Sequence, residues 1–246
     1  MRMNSPTGKQ ILSIVRDGDY AHPGEEEAVE LALGGFRPDD GRNLLDVGCG
    51  RGGTAHYLYD RGWGNVVGVD IDEASIDHAR AAYPEVEFLA CDVSKVSARL
   101  SRRFDLICLF SSFYAFGDQP AALGQLLNLA APGGSLVLFD YLDLSADGNS
   151  LLVREDASSN WNPVKLDHLD QLFGNAGWAI SETRNISAEF ADWYRDLVSR
   201  IEHRQDQIVD LAGPAWYRFV RDFYGGMLES IERQILGGVV VTAGIA

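Results

Sequence analysis

The chain holds 246 residues, with 36 acidic side chains against 21 basic ones and a net charge of −15. That balance repels a nucleic-acid phosphate backbone and an anionic membrane surface, so neither is an expected partner. Hydrophobic residues at 46% and charged residues at 23% fit a globular protein long enough to bury a substantial core.

Residues 1–43 read as a helical leader. Gln10 to Val15 suggests one small helix, and Glu25-Glu26-Glu27 suits the first turn of a second, where acids favour the positive helix end. Leu44-Leu45-Asp46-Val47 is then a short apolar run, read as a buried strand. It passes into Gly48-Cys49-Gly50-Arg51-Gly52-Gly53 and a helix from Gly53 to about Asp60. Strand, glycine-rich turn and helix form the entry unit of a nucleotide-binding α/β sheet. Glycine there lets the backbone approach a ligand closely.

Gly48, Gly50 and Gly53 satisfy G-x-G-x-x-G, a weak pattern by itself. Asp46 sharpens it. A carboxylate just ahead of the turn would repel a dinucleotide's pyrophosphate at close range. S-adenosylmethionine carries no phosphate, and its amino group and sulfonium are cationic, so Asp46 suits that ligand. A second strand, Val66 to Asp72, also ends in acid. Asp70 lies about 20 residues past the glycines, where a carboxylate can accept both ribose hydroxyls. A third strand, Val86 to Asp92, places Asp92 to accept from an adenine amino group. Each acid alone is more often a helix cap than a ligand contact. Three, at three consecutive strand ends, point to a ligand.

Between the second and third strands lies a helix capped by Asp72 and ended by Pro84. Phe104 to Phe110 is a fourth strand, continuously apolar past Asp105, as in a sheet covered on both faces. A helix from about Pro120 to Ala130, a turn at Pro132-Gly133-Gly134 and a fifth strand from Ser135 to Tyr141 follow. This alternation defines a doubly wound sheet. Leu142 to Asn162 is polar and is the expected mobile segment. A helix from about Lys165 to Ala176 leads to a sixth strand opening at Trp178. Two amphipathic helices are expected across Ser187 to Gln234, divided at Gly213-Pro214. A seventh strand spans Leu236 to Ala243.

The run from Leu44 to Tyr141 resembles the core of class I S-adenosylmethionine-dependent methyltransferases, through DVGCGRGG, VGVDID, CDVS, FDLICLFSSFY and PGGSLVLFDY in order. It is most similar to the small-molecule branch that includes sugar, sterol and phosphoethanolamine methyltransferases. The resemblance implies an α/β fold: a Rossmann-like, seven-stranded, mostly parallel sheet, with its core at 44–186 and its last strand at 235–246. S-adenosyl-L-methionine would be the methyl donor and S-adenosyl-L-homocysteine the product. The implied cofactor site comprises Asp46, Gly48, Cys49, Gly50, Gly52, Asp70, Ile71, Cys91, Asp92, Val93 and Phe110. A leader of this kind often folds over the cofactor in the family, which would bring Tyr20 and His22 close to it. An ordinary surface turn is an equal alternative. The insertion at 187–234 lies where related enzymes place a substrate lid, with Tyr194, Trp216, Tyr217 and Tyr224 as acceptor contacts. Plain core packing would produce the same aromatic stripes.

Phe110 to Phe116 follows strand four and should face the transferring methyl, which makes Ser111 and Tyr114 substrate contacts. Sugar methyltransferases of similar pattern hold a glutamate and two histidines in this stretch, and here Ser111, Tyr114 and Ala115 stand instead. Tyr114 and His22 remain as catalytic candidates, Tyr114 more through hydrogen bonding or shape than as a base at its usual pKa. The acceptor is a small molecule, and O-, N- and C-methylation are all open. Two other readings stand beside this one. The glycine pattern permits a nicotinamide-dependent oxidoreductase, which Asp46 and Asp92 oppose; a non-catalytic S-adenosylmethionine-binding protein would keep the same fold.

Cys49, Cys91 and Cys108 fall in or beside core strands, and their odd number and spacing suggest neither disulfides nor a metal site. They fit a reducing cytoplasm. No apolar stretch reaches the roughly 18 residues of a membrane span, and the first residues lack a secretory apolar segment. The expectation is a cytoplasmic monomer or homodimer.

Overall fold

A computed structural model describes residues 1–146 and 160–246. Most of the stretch expected to be mobile, residues 147–159, lies outside the described residues. The leader forms α1 (Pro6–Val15) and α2 (Glu25–Ala32). Ser5 caps α1 by accepting the Gly8 amide, and three glutamates open α2. The sheet then builds from β1 (Asn43–Val47), β2 (Asn65–Asp70), β3 (Glu87–Ala90), β4 (Phe104–Phe110), β5 (Ala130–Asp143), β6 (Trp178–Asn185) and β7 (Leu236–Ile245). Helices α3 (Gly53–Asp60), α4 (Glu73–Ala82), α5 (Val96–Arg99), α6 (Gln119–Leu127) and α7 (Leu166–Asn175) connect the first six strands.

The strands lie in the order β3-β2-β1-β4-β5-β7-β6. β1 pairs in parallel with β2 and β4, and β4 with β5, whereas β7 runs antiparallel to both β5 and β6. The strand order therefore reverses between β1 and β4, which opens a crevice at their carboxyl ends. Side chains alternate between two cores. Leu44, Leu106, Cys108, Phe110, Val137 and Phe139 face one side; Leu45, Val47, Ile107, Leu109, Leu136 and Leu138 face the other. Both faces are covered, which explains the unbroken apolar runs of β1 and β4.

Strand five is longer than its apolar run implied. It starts at Ala130, the expected end of the helix before it, and a register shift between Phe104 and Leu106 accommodates the Pro132-Gly133-Gly134 segment. The insertion also differs: three helices replace two. These are α8 (Ser187–His203), α9 (Gln205–Ala212) and α10 (Pro214–Glu232). The chain breaks at Arg204, which turns back to the leader and pairs with Asp17 and the Ile14 carbonyl. Among the described residues no helix is long and apolar enough to cross a membrane.

Candidate functional site

Four strand ends and the leader converge on the crevice. β1 delivers Asp46, only 1% exposed, and its Oδ2 has no hydrogen-bond partner. Burial, and secondarily the charge of Asp70, pushes this carboxyl up to about 7. The glycine turn follows. Gly48, Gly50 and Gly52 all have positive φ, and Gly52 sits so close to Ala79 and Phe88 that a Cβ would meet them at 2.9 and 2.8 Å. Gly48 lies against Ser112, whose hydroxyl donates to the Val47 carbonyl at 2.7 Å. Cys49 is buried, and its amide donates to the Val69 carbonyl at 3.0 Å.

At the end of β2, Asp70 accepts the Gly50 amide through one oxygen at 2.8 Å and the Asp72 amide through the other at 2.9 Å. Beside it, Ile71 is 71% exposed, an unusual position for a large apolar side chain at a strand end. Beyond β3, Asp92 caps the next turn by accepting the Ser94 amide at 2.8 Å. That bond holds its carboxyl below the usual range. Cys91 is buried, with its thiol toward the Asp92 carbonyl, and Val93 is half-buried.

β4 ends in buried Phe110, then Ser111, a non-glycine residue at φ +48° with a buried hydroxyl that lacks a partner. Tyr114 follows on a single turn, its ring 4.9 Å from Tyr141 and 5.0 Å from Trp161. The leader crosses this crevice. His22 is 1% exposed, its ring 4.9 Å from Phe110 and 5.7 Å from Phe139. Nε2 meets the Thr54 hydroxyl at 2.9 Å and Nδ1 the Pro23 carbonyl at 3.1 Å. Burial drives its pKa down to about 3, so it stays neutral with both nitrogens engaged. That environment suits a packing and orienting role better than proton acceptance. Tyr20 is half-buried, its hydroxyl 3.4 Å from Glu26, and burial raises its pKa.

The structure thus brings Asp46, Gly48, Cys49, Gly50, Gly52, Asp70, Ile71, Cys91, Asp92, Val93, Phe110, Ser111, Tyr114, Tyr20 and His22 to one end of the sheet and its overlying leader. The insertion residues divide. Tyr194 is fully buried, its hydroxyl 2.5 Å from that of Tyr141, and Tyr224 is buried beside it. Trp216 and Tyr217 are half-buried on α10. Among the described residues no group of three or more His, Cys, Asp or Glu could hold a metal ion.

Two further residues belong to this end of the sheet. Asp19 accepts from Ser13, Arg51 and Tyr83 and pairs with His78, tying leader, glycine turn and α4 together. Although burial raises its pKa, bonds from Ser13, His78 and Arg51 outweigh that and hold it low. Its partners are far apart in the chain, so the sequence carries no signal for it. Asp140, fully buried within β5, does carry one: it is a lone acid inside an apolar run, as Asp46 is in β1.

Sheet order and the helices on both faces give the chain the α/β architecture of the class I methyltransferases. More particularly, the chain belongs to the methyltransferase domain family, whose sequence profile matches residues 26–203. It is 22% identical to a phosphoethanolamine N-methyltransferase of Triticum aestivum, over 80% of this chain and 39% of that one. It is 27% identical to an O-methyltransferase of Pyrenophora dematioidea, over 65% and 66% of the two chains. A trans-aconitate 2-methyltransferase of Enterobacter is 32% identical, over 59% and 55%. The chain spans between 39% and 66% of the length of these relatives. Among solved structures, the phosphoethanolamine N-methyltransferase 2 of Haemonchus contortus superposes with a TM-score of 0.84 at 16% identity, covering 99% of this chain and 58% of that one. A cyclopropane synthase of Mycobacterium tuberculosis gives 0.81 at 14%, covering 98% and 94%.

Proposed function

We propose that the protein is an S-adenosylmethionine-dependent methyltransferase acting on a small-molecule acceptor. The observation that carries this reading is the buried, unpartnered carboxyl oxygen of Asp46 beneath the glycine turn. An orphaned buried acceptor is costly unless a ligand supplies a donor. The cationic methionine end of the cofactor supplies one; a pyrophosphate would add a second negative charge. The residues present therefore fit S-adenosylmethionine, the ligand with which the Haemonchus enzyme was also crystallised.

Gly48, Cys49, Gly50 and Gly52 would receive the methionine part, and Asp70 the ribose hydroxyls. Asp92, Cys91 and Val93 would hold the adenine, with exposed Ile71 against its face. Phe110 and Tyr20 would wall the site. When bound, the cofactor supplies a methyl group already activated on a sulfonium. The protein then aligns the acceptor with that methyl and excludes water. The turn from Ser111 to Ala115, the leader over it and the insertion at 187–234 would enclose the acceptor. Tyr114 would orient it by hydrogen bonding or shape. A cytoplasmic setting fits three unpaired cysteines.

Two measurements test this reading. Calorimetry should show binding of S-adenosylhomocysteine and none of NAD; the reverse would overturn it. Transfer of labelled methyl from S-adenosylmethionine across a panel of amine, hydroxyl and carbon acceptors should then separate an enzyme from a binding protein.

A further inference from the structure

Asp140 is a buried carboxylate with no part in the proposed cofactor contacts. It is completely inaccessible within β5, yet its hydrogen bonds are directed mainly at another segment. Oδ2 accepts the amides of Phe113 at 2.8 Å and Tyr114 at 3.2 Å, from residues 27 and 26 positions upstream. Oδ1 accepts the adjacent Tyr141 amide at 2.7 Å. Burial pushes the pKa of Asp140 up to about 7, against the opposing effect of the Tyr141, Tyr114, Phe113 and Ser112 amides. The turn it holds begins at Ser111, whose positive φ is a conformation that non-glycine residues adopt only under constraint from their surroundings.

Two features make this more than ordinary capping. The Ser111 hydroxyl is buried and has no partner among the described residues, so the strained residue gains nothing locally to offset its conformation. The constraint comes from outside the turn: the Ser111 amide donates to the Phe139 carbonyl at 2.8 Å, and Asp140, the next residue along β5, takes the amides that follow. β5 therefore clamps both halves of the turn that carries Tyr114. We infer that Asp140 is a positioning residue that fixes the Ser111–Ala115 turn, and with it Tyr114, against the acceptor. This inference rests on the proposal that the turn faces the acceptor.

The test compares Asp140→Ala and Asp140→Asn with the wild type in three measurements. Hydrogen exchange in peptides covering 111–116 should accelerate by on the order of tenfold in Asp140→Ala while strands β1 and β2 keep wild-type protection. Asp140→Asn keeps one oxygen to receive the Phe113 and Tyr114 amides, so it should lie between the two. Calorimetry with S-adenosylhomocysteine should give affinities within roughly threefold of wild type, because Asp140 lies outside that site. On whichever acceptor the wild type methylates, kcat should fall in the order Asp, Asn, Ala without a matching loss of cofactor affinity. Exchange that rises evenly over the whole core, or does not rise at 111–116, would overturn the inference, as would an Asp140→Ala enzyme with wild-type kcat. Failure of the wild type to bind S-adenosylhomocysteine would instead sink the functional reading, and the exchange measurement would still decide what Asp140 holds.

Discussion

The carboxylate of Asp70 accepts the backbone amide of Gly50 at 2.8 Å, joining the end of β2 to the middle of the glycine turn. Its other oxygen accepts the amide of Asp72. One side chain thus sets the backbone of two neighbouring loops, and each carboxylate oxygen keeps a further lone pair for a ligand hydroxyl.

Asp70→Ala should therefore do two things at once. It removes the ribose acceptor, weakening S-adenosylmethionine by about 1.5–3 kcal/mol, the scale of a hydrogen bond to a charged group. It also leaves the Gly50 amide without its partner and should lower the melting temperature. Asp70→Asn keeps one oxygen and should retain more stability than affinity. Unchanged affinity by calorimetry would remove Asp70 from the site.

The pH dependence follows from Asp46 and Asp140, both pushed up to about 7, chiefly by burial. A carboxyl whose folded pKa exceeds its unfolded value of 3.8 stabilises the fold fully at low pH. That contribution is lost as pH rises from about 4 to about 7. A cationic ligand beside Asp46 favours its ionised form, so it reverses part of the loss. S-adenosylmethionine should then bind more tightly, and raise the melting temperature more, at about pH 7.5 than at about pH 5.5. Asp46→Asn should flatten this difference; a slope that survives the substitution belongs to another group.

Asp92 separates capping from recognition. Its cap to Ser94 uses Oδ1, and asparagine keeps an oxygen for that bond. Asp92→Asn should leave stability within about 0.5 kcal/mol of wild type. Placing an amide N–H where the adenine amino group needs an acceptor should weaken cofactor binding by about tenfold, or 1.4 kcal/mol. If the variant binds as tightly as wild type, Asp92 serves the turn alone.

Most of the sheet was legible because its strands are short, apolar and punctuated. Phe104 to Phe110 emerged as read, as did the helix from Gly53 to Asp60. Asp70 and Asp92 were visible because each closes or follows such a run, and Asp46 because it is the lone acid inside one. Local pattern cannot show pairing between distant segments. The start of β5 at Ala130 depends on its partner Phe104, not on its own Pro-Gly-Gly composition. The break of the insertion at Arg204 depends on Asp17 and the Ile14 carbonyl, some 190 residues upstream. Neutral, fully bonded His22 belongs to the same class: periodicity marks a histidine but not its burial between Phe110 and Thr54.

The insertion poses the same question, core or lid, and burial now sorts its aromatic residues. Phe190 is fully buried against Phe139, Tyr141 and Trp193. Phe190→Ala should cost about 3–5 kcal/mol of stability, as for a core aromatic. Tyr194→Phe keeps the ring but removes one hydroxyl of the pair with Tyr141, and should cost about 1–3 kcal/mol for the donor or acceptor left unpaired. Trp216 and Tyr217 are different. They are half-buried on α10, Trp216 packed edge-on against Phe219 and Tyr217 under the Arg221 guanidinium, so less of their surface is committed to the fold. Alanine at either position should cost about 1 kcal/mol or less. If α10 covers the acceptor, these two substitutions should raise the acceptor KM or lower kcat while S-adenosylhomocysteine affinity holds. Melting, cofactor affinity and turnover measured on all four variants decide between the readings. Should Trp216→Ala and Tyr217→Ala lose turnover only in proportion to their loss of stability, the insertion is scaffold and the acceptor is enclosed without it.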